Sequence, residues 1–437
     1  MKVLKFGGTS VGSAERIKEV ASIITGGEGR RIVVLSAMAG TTNTLVEITG
    51  YLYNRNLEGA RDIIAALEKK YYGVVAELYD TPAAAQKATD YVKDVFLTIN
   101  SFTKELFGGI QERLILAQGE LLSTFLLTTY LEEKNIPVRL LPALEFMRTD
   151  AHGEPDSEAI KSRLLPLLDG EDSLYVTQGY ICVNAREEVD NLKRGGSDYT
   201  ACLIGAAVQA EEIQIWTDID GLHNNDPRIV EGTAPVRHLH FEEAAELAYF
   251  GAKILHPTCI LPARYANVPV RLLNTMAPDA PGTLIDNVPD CGTIKAVAAK
   301  DNIVAIKIKS SRMLLAHGFL RKVFEIFESY RTPIDMICTS EVGVSLTIDD
   351  TRYLGDIVHD LKKYGTVSVD LDMCIVCVVG DMDWSNRGFE SRVLGALEDI
   401  QVRMVSYGGS NYNISILVRE EDKADTLRAL SRNLFGR

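Results

Sequence analysis

Two short segments of this sequence combine a glycine pair with a nearby cation, a pattern suited to binding anions. They are KFGGTS at residues 5–10 and RGGSDYT at residues 194–200. Each glycine pair leads into a predicted helix, whose first N–H groups and positive dipole end attract phosphate or carboxylate oxygens. Lys5 lies at the mouth of an apolar strand, where a buried cation needs an anionic partner. Neither segment has the P-loop or the GxGxxG pattern, so together they predict two anionic ligands outside those motifs.

Each segment also has a simpler interpretation. A glycine pair alone is most often only a turn, and Ser197 or Asp198 would serve as the N-cap of any helix. Arg194 favours the functional interpretation, because its guanidinium can hold a carboxylate by two parallel hydrogen bonds. A third polar cluster, WTDIDG at 216–221 with NDPR at 225–228, could bind a nucleotide or its metal, or form a solvated turn.

Two pairs of metal-ligating side chains are better explained without a metal. Cys374 and Cys377 lie three positions apart in an apolar β run, where they face opposite sides of a sheet, and no second pair completes four ligands. His238 and His240 could share a strand face, but no third ligand is close in sequence. We therefore assign no metal ligand to a protein side chain.

The composition limits the class of protein. The chain has 437 residues, 46% of them hydrophobic and 24% charged, which predicts two or three globular domains. Its net charge of -14 argues against nucleic acid as a partner. No apolar run reaches the ~18 residues that span a bilayer and no signal-peptide core follows Met1, so we expect no membrane contact and a cytoplasmic protein. Seven scattered cysteines fit reduced thiols in that compartment.

Alternating strand and helix patterns must position the two glycine segments. Residues 31–35 form a continuous apolar run, which is typical of a parallel strand covered on both faces. Residues 61–107 are helical and polar, which indicates an insertion. The other elements of this part are strands at 2–6, 138–141, 174–177 and 213–216 and helices at 14–24, 197–209 and 241–250. The pattern predicts an α/β fold whose mainly parallel sheet is assembled from distant parts of the chain.

A stretch rich in proline and glycine, at 278–292, marks the predicted boundary between a first domain at 1–290 and a second at 291–437. The second domain repeats a βαββαβ pattern in modules of about 300–371 and 372–437. The first round has strands at 303–308, 334–338, 342–348 and 366–369 and helices at 318–330 and 354–364; the second has strands at 373–379, 402–405 and 413–418 and helices at 388–400 and 423–435. The second round lacks its sixth element. The spare strand 294–298 could supply it, so we expect the two modules to be nested.

Several motifs, taken in order, resemble those of the aspartate kinases. They are KFGGTSV at 5–11, VLSAMAG at 34–40, Gly119-Glu120, RGGSDYT at 194–200, Thr217-Asp218 with Asp226-Pro227-Arg228, and FGAKILHP at 250–257. Residues 318–348 resemble the first regulatory ACT module of the monofunctional, lysine-inhibited members, and no dehydrogenase part is expected after Arg437. The resemblance implies an amino acid kinase-like αβα sandwich with a mainly parallel sheet, followed by two ferredoxin-like ACT modules.

The resemblance implies ATP-dependent phosphorylation of the side-chain carboxylate of L-aspartate to 4-phospho-L-aspartate, the first step towards lysine, threonine and methionine. Mg²⁺ would be carried by ATP. The implied catalytic residues are Lys5 and Asp198. Those implied for ATP are Lys5, Gly7, Gly8, Thr217, Asp218, His223, Arg228 and Lys253. Those implied for L-aspartate are Ser36, Thr41, Glu120, Arg194, Ser197 and Asp198. His223 stands where relatives often have an aromatic hydroxyl.

The resemblance also implies feedback inhibition by L-lysine. The implied effector residues are Met313, Gly318, Phe319, Leu320, Asp335, Thr339, Ser340 and Glu341. Asp335 and Glu341 suit a ligand with a cationic side chain, although acidic residues beside strands are also common surface solubilisers. ACT modules of this family commonly pair between subunits, so we expect a homodimer or a larger homo-oligomer.

Two rival functions stay open at this point. One is another amino acid kinase, which phosphorylates glutamate, acetylglutamate or carbamate on a similar fold. The other is a non-catalytic amino-acid sensor whose kinase part is a relic. The presence of both Lys5 and Asp198 favours an active enzyme.

Overall fold

A computed structural model describes residues 1–170, 173–192, 195–251, 255–310 and 317–436. Three residues with predicted roles, Arg194, Lys253 and Met313, lie outside the described residues. The chain forms two compact units, one of Met1–Leu222 with Leu255–Asn287 and the other of His223–Ile254 with Val288–Arg437. The domain limits 1–290 and 291–437 stay a prediction, and the compact units differ from them chiefly by the segment 223–254.

The chain alternates strands and helices over most of its length. The strands are β1 Lys2–Phe6, β2 Arg31–Leu35, β3 Arg139–Leu141, β4 Leu174–Gln178, β5 Ile181–Val183, β6 Val189–Asn191, β7 Glu212–Thr217, β8 His238–His240, β9 Val270–Asn274, β10 Thr283–Asp286, β11 Ile294–Lys309, β12 Ile337–Ser340, β13 Gly343–Ile348, β14 Thr366–Gly380, β15 Met404–Ser406 and β16 Asn413–Arg419. The helices are α1 Ala14–Gly26, α2 Thr41–Tyr53, α3 Leu57–Leu78, α4 Pro82–Ser101, α5 Gly109–Glu133, α6 Ala143–Phe146, α7 Ser157–Leu167, α8 Gly196–Ala207, α9 Phe241–Tyr249, α10 Leu261–Tyr265, α11 Phe319–Ser329, α12 Leu354–Leu361, α13 Phe389–Gly395 and α14 Lys423–Phe435.

The first unit is built on a mainly parallel sheet, as its sequence predicts. Its strand order is β3-β4-β2-β1-β7-β9-β10, and only the β9–β10 pair in this series is antiparallel. All five residues of β4 are buried, and so are the last four of β2, because helices cover both faces of such a sheet. The predicted helical insertion is confirmed as α3 and α4, which pack against each other.

Helix α5 passes through the core of this unit. Among the residues that the structure describes, it is the one helix long and apolar enough to cross a membrane by length and composition. However, 67% of the apolar 18-residue stretch of this helix is buried inside the protein, as is typical of a core helix. Its side chains include a buried carboxylate, Glu120, whose surroundings are described below.

The second unit contains one antiparallel sheet with the order β12-β13-β11-β14-β16-β15. The predicted separate strands 294–298 and 303–308 are one continuous strand, β11, and those at 366–369 and 373–379 are likewise one strand, β14. In each long strand a residue with positive φ lies where the pairing register shifts. These residues are Asn302 in β11, with a φ of 59°, and Asp372 in β14, with a φ of 54°. Such a residue allows a bulge without ending the strand, which the sequence pattern does not reveal.

The register places the two ends of β11 beside different partners. Its carboxyl half pairs with β13 and with the first half of β14, whereas residues 294–300 pair with the second half of β14. The strands predicted at 334–338 and 402–405 begin later, as β12 and β15, and the helix predicted at 388–400 is the shorter α13. Their flanking residues form loops, where local apolar content alone is a poor guide to element ends.

Gly365, just before β14, lies against the neighbouring backbone of the second unit. A Cβ at Gly365 would lie 2.3 Å from the backbone oxygen of Lys309, and this oxygen cannot move as a flexible side chain could. We expect Gly365→Ala to lower the unfolding free energy by ~1–3 kcal/mol. Gly355→Ala is the matched control, because a Cβ in that exposed turn of α12 meets nothing within 4 Å. It should raise stability by ~0.5–1 kcal/mol, and calorimetry giving both variants the same transition temperature would contradict the packing argument.

Candidate active site

The carboxyl ends of three parallel strands meet in one row. Phe6, which ends β1, pairs with Leu35 of β2 and with Trp216 of β7. The next residues along these strands, Gly7, Ser36 and Thr217, therefore lie side by side at the carboxyl edge of the sheet. This edge is where open α/β sheets bind their ligands.

The first glycine turn lies directly against the loop that follows β2. A Cβ at Gly8 would stand 2.8 Å from the backbone oxygen of Ala37, so a larger residue would push the two loops apart. The N–H of Ala39 donates to the oxygen of Gly8 at 3.0 Å. The N–H of Gly7 donates to the oxygen of Trp216 at 3.2 Å. The expected role of the Gly7 N–H in holding phosphate is therefore not supported, because strand pairing already uses this donor.

The two glycine turns are joined by a buried ion pair. The Nζ of Lys5 lies 2.6 Å from Oδ1 of Asp198, and the two side chains are 11% and 12% exposed. Oδ1 of Asp198 has no hydrogen-bond partner among the residues that the structure describes, so this contact is a charge pair. A Cβ at Gly7 would lie 3.7 Å from the same ammonium, an ordinary van der Waals distance, so Gly7 directly borders Lys5. The structure thus brings together the two residues predicted to be catalytic.

Helix α8 comes close to the sheet because two glycines allow it. A Cβ at Gly179, just after β4, would lie 2.5 Å from the Cβ of Ser197. A Cβ at Gly196 would lie 2.6 Å from the ring of Tyr180. The preceding Gly195 has a φ of 75°, which few other residues adopt. These contacts seat Ser197 and the first turn of α8 at the carboxyl edge.

Glu120 is a buried carboxyl group with an unused oxygen. It is 3% exposed, and its Oε1 accepts a hydrogen bond from the N–H of Ala37 at 3.1 Å. Its Oε2 has no hydrogen-bond partner among the residues that the structure describes. Burial raises the pKa of Glu120 to about 8, and the Ala37 N–H and the Lys5 charge oppose part of that rise. Gly119 permits this approach, because a Cβ there would lie 2.6 Å from the Cβ of Ala37.

Two further predicted substrate residues, Ser36 and Thr41, are held by neighbours outside the motifs. The backbone oxygen of Ser36 accepts from the hydroxyl of Ser123 on α5 at 2.8 Å. The hydroxyl of Thr41, which begins α2, is fully buried and lies 3.0 Å from that of Tyr71. Burial raises the pKa of Tyr71, so its phenol stays protonated and available as a donor.

The end of β7 is tied to β9 and to the first glycine turn through one threonine. The N–H and hydroxyl of Thr275 donate to the oxygen of Thr217 at 2.8 and 2.9 Å. The hydroxyl of Ser10 lies 2.6 Å from that of Thr275. The hydroxyl of Thr217 donates to Asp218 at 3.1 Å, so the two residues predicted to lie on the nucleotide side are adjacent and oriented.

The remaining residues predicted for ATP belong to the second unit. The Nδ1 of His223 lies 2.9 Å from the hydroxyl of Thr233. The guanidinium of Arg228 contacts both carboxylate oxygens of Asp226, at 2.9 and 2.7 Å, and is otherwise open to solvent. This cation lowers the pKa of Asp226.

The predicted effector residues lie around α11 and β12. Helix α11 begins after Gly318, which has a φ of 86° and lets the chain turn into the helix. Phe319 is buried and Leu320 is exposed. Thr339 and Ser340 end β12 and are exposed, as is Glu341, which follows them.

No described residues form a group of three or more His, Cys, Asp or Glu side chains arranged for a metal ion. Cys374 and Cys377 are buried free thiols within β14. His240 accepts from the N–H of Glu242 at 3.3 Å and so caps α9, and its ring stacks on Tyr412. These side chains have structural roles in the places where the sequence offered a metal site.

Sequence reasoning missed Tyr71, Ser123, Gly179 and Thr275. Each supports a predicted site residue from an element distant in sequence. Ser, Thr, Tyr and Gly are common in loops and helices, so no local pattern distinguishes these four from their neighbours. Only contacts across the fold reveal them.

Comparison with known proteins identifies the class. Residues 1–274 match the amino acid kinase family and residues 376–434 match the ACT domain. The lysine-sensitive aspartokinase 3 of Escherichia coli is 34% identical, covering 99% of each chain, and the chloroplast aspartokinase 1 of Arabidopsis thaliana is 35% identical over 99% of this chain and 80% of its own.

Solved structures agree with this class. The structure of E. coli aspartokinase III with aspartate and ADP has 32% identity and a TM-score of 0.81, covering 100% of both chains. The aspartate kinase of Clostridium acetobutylicum has 26% identity and a TM-score of 0.87, over 99% of this chain and 100% of that one. The chain therefore belongs to the amino acid kinase family and, within it, to the aspartokinases.

The raised pKa of Glu120 predicts a pH-dependent stability. Between its ordinary value of 4.5 and about 8 the carboxyl is ionised in the unfolded chain but protonated in the folded one, so rising pH favours unfolding across this range. Glu120→Gln removes that ionisation. We expect its transition temperature to match the wild type near pH 4.5 and to exceed it increasingly up to pH 8.

The matched control for this measurement is Glu47→Gln, which alters an exposed carboxyl group on α2. Its difference from the wild type should stay flat across the same pH series. Differential scanning fluorimetry in buffers of constant ionic strength would suffice. A Glu120→Gln difference that does not change with pH would show that this carboxyl ionises normally in the folded protein.

Proposed function

We propose that this aspartokinase transfers the γ-phosphoryl group of ATP to the side-chain carboxylate of L-aspartate, giving 4-phospho-L-aspartate and ADP, and that L-lysine inhibits it. The observation that carries the catalytic part is the buried Lys5–Asp198 pair at the carboxyl edge of the sheet. This pair would supply a fixed cation in the row where phosphate and acceptor would meet. We further propose that the product enters the synthesis of lysine, threonine and methionine.

The acceptor needs positioning rather than a base. A side-chain carboxylate has a pKa near ~4 and is already ionised at neutral pH. One of its oxygens forms a bond to the γ-phosphorus while the bond from that phosphorus to the bridging oxygen of ADP breaks. Because two anions must approach each other, neutralising their charge is the main catalytic requirement. Lys5 would supply that positive charge and Asp198 would orient it.

The substrate contacts are proposed from the resemblance to the aspartokinases, and the geometry of Glu120 supports one of them. The unpartnered Oε2 of Glu120 suits the ammonium of L-aspartate, whose charge would favour the ionised carboxylate. Ser36, Thr41 and Ser197 would hold the reacting carboxylate, and Arg194 its α-carboxylate. Thr41 has no exposed surface in this structure, so its contact requires a local rearrangement.

Nucleotide contacts are proposed for Lys5, Gly8, Thr217, Asp218, His223, Arg228 and Lys253, with Gly7 bordering the Lys5 ammonium. Mg²⁺ would be held by the phosphate oxygens of ATP, and when bound it would neutralise part of their charge. We assign it no protein ligand. The cytoplasm as location and a homodimer or larger assembly remain predictions.

The alternative is an amino acid kinase family member that acts as a sensor or accepts a different substrate. A coupled assay of ADP release from ATP, with and without L-aspartate, separates these possibilities. We expect release to depend on L-aspartate and to be absent with glutamate, acetylglutamate or carbamate. ADP release that does not require L-aspartate would refute the proposed reaction.

Lys5→Ala should lower kcat by ~10²- to 10³-fold, because it removes the cation nearest the transferring group. The KM for ATP should change much less. Lys2→Ala, at the other end of the same strand, is the matched control and should leave kcat unchanged. Steady-state kinetics at saturating L-aspartate would measure both. A Lys5→Ala enzyme with normal kcat and only a raised KM for ATP would contradict this role.

L-Lysine should inhibit the wild-type enzyme, because carboxylates around α11 and β12 suit a cationic side chain. The measurement is an activity titration with L-lysine and, separately, with L-threonine. Inhibition by threonine without any response to saturating lysine would overturn the effector assignment and leave the catalytic proposal intact.

A further inference from the structure

A lysine side chain of the protein already forms an ion pair with Asp335, a carboxylate predicted to bind the effector. The Nζ of Lys300, on β11, lies 2.7 Å from Oδ1 of Asp335 and 3.0 Å from Oδ2 of Asp349. The hydroxyl of Tyr249 donates to the same Oδ1 of Asp335 at 2.7 Å. The Lys300 ammonium also lies 4.5 Å from the centre of the Tyr249 ring, a cation–π contact. All four residues belong to the second unit.

The side chain of Asp335 is closed to solvent in this arrangement. It is 1% exposed, and that of Lys300 is 19% exposed. A buried carboxylate requires a cation or several donors, so Lys300 and Tyr249 meet that need while no ligand is bound. The second oxygen, Oδ2, has no hydrogen-bond partner among the residues that the structure describes. Because this oxygen is also buried, an incoming ammonium reaches the carboxylate only when the side chains that cover it move.

We infer that Lys300 is an internal competitor for the effector: its ammonium holds the place on Asp335 that the ammonium of a free cationic amino acid takes on binding. The inference rests on the proposed inhibition by lysine. A ligand that pairs with Asp335 must displace Lys300, and the strength of the Lys300 contacts then sets the effector concentration needed. Lys300 is thus a residue that determines sensitivity, without contacting the reacting atoms.

The second module shows that this cation site is not a general feature of the repeated fold. In the central strand pair, Ala305 pairs with Asp370 and Lys300 pairs with Ile375. When the two strands are exchanged so that one of these pairs falls on the other, Lys300 takes the position of Asp370. The two residues are therefore counterparts in the two modules. The two modules have the same backbone pairing there, so their side chains can be compared position by position.

The two aspartates that contact Lys300 are also replaced in the second module. The N–H of Asp335 donates to Thr347 at 2.9 Å, and the N–H of Arg403 makes the equivalent bond to Leu417 at 2.8 Å, so Arg403 is the counterpart of Asp335. Similarly, Val304 pairs with Ile348 and Cys374 with Val418, which makes Arg419 the counterpart of Asp349.

The charges in the second module are therefore inverted. Asp370 pairs with Arg403 at 2.9 Å, in a cavity of about 570 Å³ that Arg419 also lines. Arg403 and Arg419 thus stand where the first module has Asp335 and Asp349, while Asp372 and Glu421 also line this cavity. The two carboxylates that contact Lys300 in the first module, Asp335 and Asp349, therefore have arginine counterparts in the second.

Displacing Lys300 would also alter the end of α9. Tyr249 is the last residue of that helix and contacts both Asp335 and Lys300. Helix α9 lies in the segment 223–254, which the chain enters soon after Thr217 and Asp218. An exchange of ammonium groups at Asp335 therefore changes contacts of a segment that is covalently continuous with the proposed nucleotide side.

The test is the lysine response of Lys300 variants of the full-length enzyme. Lys300→Met removes the competing ammonium and should lower the lysine concentration for half-inhibition about tenfold, the effect of losing ~1.4 kcal/mol of competition. Lys300→Arg keeps a cation and should not lower it. Asp370→Asn, which changes the counterpart position in the second module, is the matched control and should leave the lysine response unchanged.

Lysine binding to each variant should be measured separately, as the rise in transition temperature with added L-lysine. If Lys300→Met does not fold, Lys300→Gln retains a donor to Asp335 without the charge and should still lower the half-inhibiting concentration. A wild type that neither binds nor responds to lysine defeats the proposed regulation itself. If the wild type responds to lysine but the charge-removing Lys300 variants need as much lysine as the wild type or more, only the inference that Lys300 competes with the effector is overturned.

Discussion

The buried ion pair between Lys5 and Asp198 is the constraint around which the catalytic unit is organised. It joins the end of β1 to the first turn of α8, two segments separated by almost half of the chain. Burial weakens solvent screening and makes each charge costly without the other. The strand, the helix and both glycine turns therefore have to hold a single mutual position, which also keeps a cation at the carboxyl edge.

Close approach of backbones is the second requirement of this site. Gly8, Gly119 and Gly179 each lie where a Cβ would fall within 3 Å of another loop or helix. As a result, the loop after β2 is confined between the first glycine turn and α5, and Glu120 is buried against it. Backbone thus forms much of the wall around these side chains, and groups held in fixed positions are what electrostatic catalysis requires.

The second unit also contains ion pairs between lysine or arginine and aspartate, but they lie at the proposed effector site and at its counterpart. One backbone arrangement occurs twice along the β11–β14 pair, with a lysine between carboxylates in one copy and an aspartate beside guanidinium groups in the other. Repetition of the fold thus did not repeat the chemistry. The segment 223–254 shows a similar separation, because it lies within the stretch that matches the kinase family but packs as part of the second unit.

The sequence by itself determined the order of the elements, the mainly parallel sheet and the pairing of two glycine turns with Lys5 and Asp198. Periodicity, turn residues and motif spacing are local signals, and they sufficed for these features. Only the tertiary structure decided that Gly7 gives its N–H to Trp216, that Thr275 supports Thr217, and that Lys300 covers Asp335. Those contacts join residues far apart in the chain, and burial and charge pairing appear only when folding brings them together.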